Sequence, residues 1–400
     1  MIFNPETLPR LLYIADVPVE SSYHGSALLY RLLEEYPPEK LLIIETNLLV
    51  SQSQRRLSNV EYKQLRIGNQ RWLNTRFTKY LTSFYLLTAK KNISQIPNLL
   101  GNFQPEAVLT VTHGYSWLIA AQWAEQNNLP LHLILHDDWI SMAPMLETVR
   151  KWLDRQFKNI YHQAKSRFCV SPFMVEEYQR RYGISGTVLY PCRAKDTIAP
   201  TEPVIKLREE NQPFTVAYGG TINTSGYVKA LLQLAEALEK VNGQLIIYGT
   251  LTKESAIKGG LNLPNIVIGG LIPAHQFIER IQQEADVLFL PMSFDEKDKI
   301  NMQVSFPSKL TDYTATGLPL LIHGPSYCSA VRWARENPGV AEVIETQEKN
   351  ALILALKKIY QDSKYYYKLA SMALLKGNEY FSHSLAVNYF YQNFIVKHEK

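Results

Sequence analysis

The stretch "VAYGGTINTSGYVKALLQLAEAL", residues 216–238, decides the fold. It opens on a short apolar run that reads as a buried strand, passes through paired glycines and a polar loop, and then repeats apolar residues at helical spacing. A strand that turns through glycine into a helix is half of a βα unit, so its surroundings set the architecture. Downstream the alternation continues through "GQLIIYG", "NIVIGG", a helix at 274–284, "ADVLFLP", a helix at 308–316, "LPLLIHG", a helix at 326–336 and "GVAEVIE". Helices between successive apolar strands make right-handed crossovers, and hence a parallel sheet, the expectation.

Upstream the same rhythm is present. "RLLYIAD" (10–16) reads as a strand and "GSALLYRLLEEYP" (25–37) as a helix with Leu28, Leu29, Leu32 and Leu33 on one face. "KLLIIET" (40–46), "EAVLTVTHG" (106–114), "LHLILHDDW" (131–139), "SRFCVSP" (166–172) and "TVLYP" supply further strands, while 51–104 reads as basic and aromatic helices. Between the two blocks, residues 191–213 carry four prolines and no period, which reads as a linker. The prediction is an α/β protein of two Rossmann-like, doubly wound domains, 1–190 and 214–378, a division that suits 400 residues.

The formal net charge of +5 permits an anionic substrate or membrane surface without demanding nucleic acid. Cys169, Cys192 and Cys328 are isolated in sequence, which argues for a reducing, cytoplasmic setting rather than a disulfide scaffold or zinc site. The first residues lack the pattern of a secretory signal, and no apolar run is long enough to span a membrane. Residues 71–91, "RWLNTRFTKYLTSFYLLTAKK", allow two readings: contact with an anionic membrane, or a helix packed beneath its domain.

In doubly wound sheets ligands sit beyond the carboxyl ends of the strands. Three such places carry chemistry. In "SFPSKLTDYTATGLPLLI" (305–322), Ser305 or Phe306 reads as an N-cap and Pro307 as the first turn. Ser308 and Lys309 would then offer a hydroxyl and an ammonium where a helix start suits a phosphate, and Asp312 would accept from two neighbouring hydroxyls. An exposed turn with a Lys309–Asp312 ion pair fits the same residues. The Gly219–Gly220 pair lets a backbone approach a diphosphate, or makes a plain tight turn. His136 closes a strand, as a ligand group or as a histidine satisfied by Asp137. His132 and His136 lie roughly 13 Å apart on an extended strand and cannot share a metal. GxGxxG, GxxxxGK[ST], DxD and GxSxG patterns are missing, which disfavours dinucleotide, P-loop, metal-bridged diphosphate and serine-hydrolase chemistry.

Taken in order, "VAYGGTINTSGYVKALLQLAEAL", "QLIIYG", "NIVIGGLIPAHQFIERIQQEADVLFLPMS" and "PSKLTDYTATGLPLLI" resemble the retaining family 4 glycosyltransferases of the GT-B fold; "YHG" near residue 24, "LHLILHD" and "RFCVSPFMVEEYQRRYG" add looser likeness. The resemblance implies two facing domains around a cleft, with a C-terminal helix (379–400) returning to the first. It implies transfer of a sugar from a nucleoside-diphosphate sugar to a hydroxyl of a glycan, lipid or small molecule, with retention and with neither metal nor cofactor. Carried across, Gly25, Gly220 and Thr221 would meet the donor phosphates, Gly270, Leu271 and Ile272 the base, Asp312 the ribose, and His136 the sugar. Two departures stand out. Val304 holds the place of the family's first acidic residue, with Asp295, Glu296 and Asp298 earlier in the chain. Thr221 and Ser225 stand where the family has Arg and Lys, leaving Lys309 to supply the charge. A non-catalytic relative or a nucleotide-sugar epimerase of the same fold are the alternatives.

Overall fold

The structure is a computed structural model that describes residues 5–21, 25–46, 55–68, 75–206, 212–222, 224–273 and 276–394. Among these residues the strands are β1 (Leu11–Ala15), β2 (Leu41–Glu45), β3 (Glu61–Gln64), β4 (Ala107–Val111), β5 (Leu131–Leu135), β6 (Ser166–Cys169), β7 (Thr187–Val188), β8 (Phe214–Gly219), β9 (Gly243–Tyr248), β10 (Ile266–Gly270), β11 (Val287–Pro291), β12 (Leu320–His323) and β13 (Glu342–Ile344). They form two sheets, ordered β3-β2-β1-β4-β5-β6-β7 and β10-β9-β8-β11-β12-β13. The pairs on either side of β1 and β8 are parallel, as the crossover helices require. The chain divides into two compact units, 1–191 with 383–400 and 192–382.

Continuous apolar strands signal burial on both faces. Every residue of β1, β2, β4 and β5 is buried. In the second unit Phe214, Val216 and Tyr218 of β8 pack with Leu231, Leu234, Ala235 and Leu238. Those four lie on one stripe of the Ser225–Leu238 helix, whose Thr224 hydroxyl caps the start by accepting from the Tyr227 N–H.

Three expectations change in detail. Within 51–104 the chain forms a strand, β3, as well as helices; its four residues are half-buried or exposed, so it lacks the apolar run that marks an interior strand. The helix expected at 308–316 is only Lys309–Tyr313, and turns carry the chain on to Gly317. Ser305 terminates the preceding Lys299–Val304 helix instead of starting the next, and Ser308 stands at the N-cap without a side-chain cap bond. Parts of other expected features, residues 23–24, 71–74, 207–211, 274–275 and 395–400, lie outside the described residues.

The Ser363–Tyr380 helix belongs to the second unit, and the His383–Gln392 helix to the first. There Tyr391 meets Tyr36 edge-on at 5.5 Å, Phe390 lies 5.2 Å from Phe168, and His383 bonds the Arg31 carbonyl.

Candidate functional site

Strand order reverses between β1 and β4 in one sheet and between β8 and β11 in the other. At such points the loops beyond adjacent strands diverge and leave a crevice at the carboxyl ends. Each unit gathers its unusual side chains there.

In the second unit β8 runs into Gly219 and Gly220. Gly220 has φ +134°, and a Cβ on it would stand 2.2 Å from Lys309 Cε. Only glycine lets the lysine lie against this turn. Gly249, at the end of β9, has φ +144°, and a Cβ there would meet the Gly220 carbonyl oxygen at 2.4 Å. The Gly220 N–H donates to the Tyr248 carbonyl and the Gly249 N–H to that of Gly270, so the three strand ends form one ledge. Tyr313 fixes the lysine's short helix to the ledge: its hydroxyl accepts from the Gly219 N–H at 2.8 Å, and its ring stacks on Phe277.

Lys309 lies half-buried over this ledge, its Nζ 5.3 Å from the Tyr218 ring centroid and 5.8 Å from that of Tyr227. Among the described residues no carboxylate pairs with it, so the expected alternative of a Lys309–Asp312 ion pair is not formed. Burial alone pushes its pKa down to about 8. A cation held so, beside backbone turned by glycine, is complementary to a multiply charged anion. The helix adds little, since its five residues make a small dipole.

Asp312 is half-buried one turn beyond Lys309 and acts electrostatically on Arg193. The Arg193 guanidinium is buried and donates to the Thr311 carbonyl (3.1 Å), the Thr314 carbonyl (2.9 Å) and Asn378 Oδ1 (2.5 Å). It thereby satisfies the carbonyls that end the short helix. Thr221 accepts at its carbonyl from the Tyr218 hydroxyl. Leu271 is exposed and Ile272 half-buried just beyond Gly270. Ser308 is exposed at the start of the helix. Val304 is buried in the core, and the nearby acids are engaged: Asp295 by Lys229 and Ser225, Glu296 by Lys299, Asp298 by Ser293.

In the first unit, Asp16 follows β1 and spans the switch point. It accepts from the N–H groups of Tyr115 and Ser116 and from the Ser116 hydroxyl, fixing the start of the Ser116–Gln126 helix. His136 follows β5. Its Nδ1 would lie 3.1 Å from a Cβ on Gly25, which stands at the N-cap of the Ser26–Leu33 helix. Its Nε2 is buried and has no hydrogen-bond partner among the described residues, and the same holds for Ser26 Oγ. The expectation of a histidine satisfied by Asp137 therefore fails for this nitrogen. Burial pushes the His136 pKa down to about 4, opposed by Asp137 and assisted by His113, so the ring is neutral near pH 7.

The structure thus brings Gly220, Thr221 and Lys309 together with Gly270 in one unit, and Gly25 with His136 in the other. Sequence reading missed Gly249, Tyr313 and Arg193. Gly249 was signalled by a third strand ending in glycine at the same level; nothing local marks Tyr313 or Arg193, whose partners lie about a hundred residues away.

The comparisons bear on this arrangement. Residues 49–192 match the model described as Glycosyltransferase Family 4. Among solved structures, Anabaena HepE in complex with UDP and glucose is similar with a TM-score of 0.61 at 12% identity, over 96% of this chain and 98% of that one. Sucrose-phosphate synthase from Thermosynechococcus elongatus gives 0.67 at 12%, over 96% and 97%. The UDP-forming α,α-trehalose-phosphate synthase from Burkholderia vietnamiensis gives 0.67 at 12%, over 97% of each chain. The chain has the GT-B fold that these structures share. No curated protein matches its sequence. The family match falls in the first half of the chain, whereas the Gly220 turn and Lys309 lie in the second.

Proposed function

We propose that the protein transfers a glycosyl group from a UDP-sugar to an acceptor hydroxyl, with retention of configuration and without a metal. The observation that carries the reading is Lys309: a half-buried ammonium that no carboxylate among the described residues pairs with, packed against the Gly220 turn at a strand switch point. A diphosphate supplies the missing counter-charge, and its oxygens accept from the lysine ammonium. Structures with this fold, HepE among them, bind UDP, which supports uridine as the base. Retention rests on the likeness to family 4.

In the reaction the bond between the sugar's anomeric carbon and the diphosphate breaks and the carbon's bond to the acceptor oxygen forms. The bonding pair leaves with UDP, and the acceptor's proton passes to the departing phosphate. Lys309 stabilises the charge that grows on that phosphate, the role a divalent cation fills in metal-dependent transferases. Asp312 is proposed for the ribose hydroxyls, Gly270, Leu271 and Ile272 for the base, and Ser308 for a phosphate oxygen. Neutral His136, with Gly25, is proposed to orient the sugar.

The test is UDP release and product formation with a panel of UDP-sugars and acceptors. Lys309→Met is expected to weaken UDP binding by about 10- to 100-fold, the worth of a hydrogen bond to a charged group. His136→Ala is expected to lower turnover more than donor binding. Epimerised donor without acceptor, or tight UDP-sugar binding without turnover, would replace transfer by epimerisation or by a regulatory role.

A further inference from the structure

The Thr78–Thr88 helix carries large apolar side chains on its outer face as well as its inner one. Phe77, just before it, and Tyr80, Phe84 and Leu87 within it recur at helical spacing and are 45%, 60%, 58% and 54% exposed. The face turned into the unit holds Thr82, Ser83, Tyr85 and Leu86. An amphipathic helix turns a polar face to water; here the outward face is an apolar stripe, while Tyr85 and Leu86 fill the inner one. The helix is not loosely held. Ser83 Oγ accepts from the Leu146 N–H at 2.8 Å, and Tyr85 packs edge-on to Tyr115 at 5.8 Å.

We propose that this face docks on an anionic phospholipid surface. Charge selects that occupant. Between Glu61 and Glu106 the chain carries seven Lys and Arg residues and no acidic one. Arg76 and Lys79 are exposed beside the stripe, and the Arg76 guanidinium lies 4.9 Å from the Phe77 ring centroid. Apolar and aromatic side chains flanked by cations suit the boundary between acyl chains and anionic headgroups. Among the described residues no helix is long and apolar enough to cross a membrane, so the contact is with the surface. It is independent of the sugar transfer proposed above and brings this unit to wherever lipid-borne hydroxyls are displayed.

The experiment is flotation of the full chain with vesicles of phosphatidylcholine alone and of phosphatidylcholine mixed with phosphatidylglycerol, at low and high salt. Binding is expected only to the mixed vesicles and is expected to weaken with salt. Lys79→Glu is expected to weaken it by roughly fivefold or more, the effect of one cation near such a surface. Phe84→Ser is expected to reduce it by at least about tenfold, since burying most of an aromatic side chain exceeds that effect. Both side chains are exposed, so an unchanged melting temperature shows that the fold persists. Failure to bind mixed vesicles at low salt overturns the proposal, as does binding that Phe84→Ser leaves intact. Self-association in the absence of lipid that Phe84→Ser abolishes assigns the face to a second copy of the chain, and also overturns it.

Discussion

An ammonium group without a counter-charge is costly to bury, and Lys309 records that cost as a pKa lowered from 10.5 to about 8. The folded protein releases this proton before the unfolded chain does. Stability is therefore reduced in full below pH 8 and recovers as pH rises from about 8 to 10.5. Binding of a diphosphate has the opposite dependence, because the bound anion favours the charged lysine. UDP affinity is expected to be constant below pH 8 and to fall by up to about tenfold per unit above it. Calorimetric titration across this range checks it: a flat profile in Lys309→Met with a falling one in the native protein supports the assignment, and a flat native profile refutes it. Gly220 provides an independent probe. Gly220→Ala forces a Cβ into the space of Lys309 Cε at a φ that alanine avoids. It is expected to cost on the order of 1–3 kcal/mol of stability and to weaken UDP binding. Chemical denaturation and binding measured on the same variant separate the two effects, and unchanged UDP affinity would show that the lysine does not rely on this turn.

At the scale of elements, the Lys309–Tyr313 helix is too short to hold itself and is fixed from outside by two distant side chains. Tyr313 ties it to β8, and Arg193 holds the Thr311 and Thr314 carbonyls. The Arg193 backbone N–H also donates to Phe381, beside the point where the chain leaves the second unit. Removing the guanidinium takes the donor from the buried Thr314 carbonyl, leaves Thr311 with the Thr314 hydroxyl alone and opens a gap where a buried side chain packed, so Arg193→Met is expected to destabilise the protein by roughly 2–4 kcal/mol. Lysine cannot reproduce the fork and is expected to restore less than half. Urea denaturation of the two variants beside the native protein decides this; a lysine variant as stable as the native protein would show that charge, not the fork, matters. The same element shows what sequence could convey. The interior strands were legible because each is a continuous apolar run between amphipathic helices. β3 was not, because "EYKQ" is half-exposed and owes its form to pairing with β2. Lys309 and Gly220 were legible as chemistry at strand ends, whereas the start of the lysine's helix was misplaced. Pro307 suits a first turn anywhere nearby, and long-range bonds fix the boundary.

Across the whole molecule, acid exposes a strain that the sheets conceal. His132 sits within β5, its Nδ1 2.7 Å from Ser166 Oγ and its ring 4.3 Å from that of Phe394. Burial, helped by Lys165, pushes its pKa down to about 3, and His136 beyond the same strand is lowered to about 4. Both rings are neutral in the fold and take up protons on unfolding once pH drops below 6.5. The unfolded chain then binds more protons, so stability declines as pH falls from 6.5 towards 4. Each histidine contributes a slope of up to about 1.4 kcal/mol per pH unit, and the two act in the same direction. His132 lies far along the strand from the proposed sugar site, which makes it the cleaner probe. Its replacement by phenylalanine is expected to remove about half of the histidine contribution to the acid slope at some loss of the Ser166 bond, leaving UDP binding unchanged. Urea midpoints measured between pH 7 and 5 read the slope directly. An acid slope identical in His132→Phe and the native protein would mean that the ring is already protonated in the fold, and that the packing of Phe394 over β5 does not keep it dry.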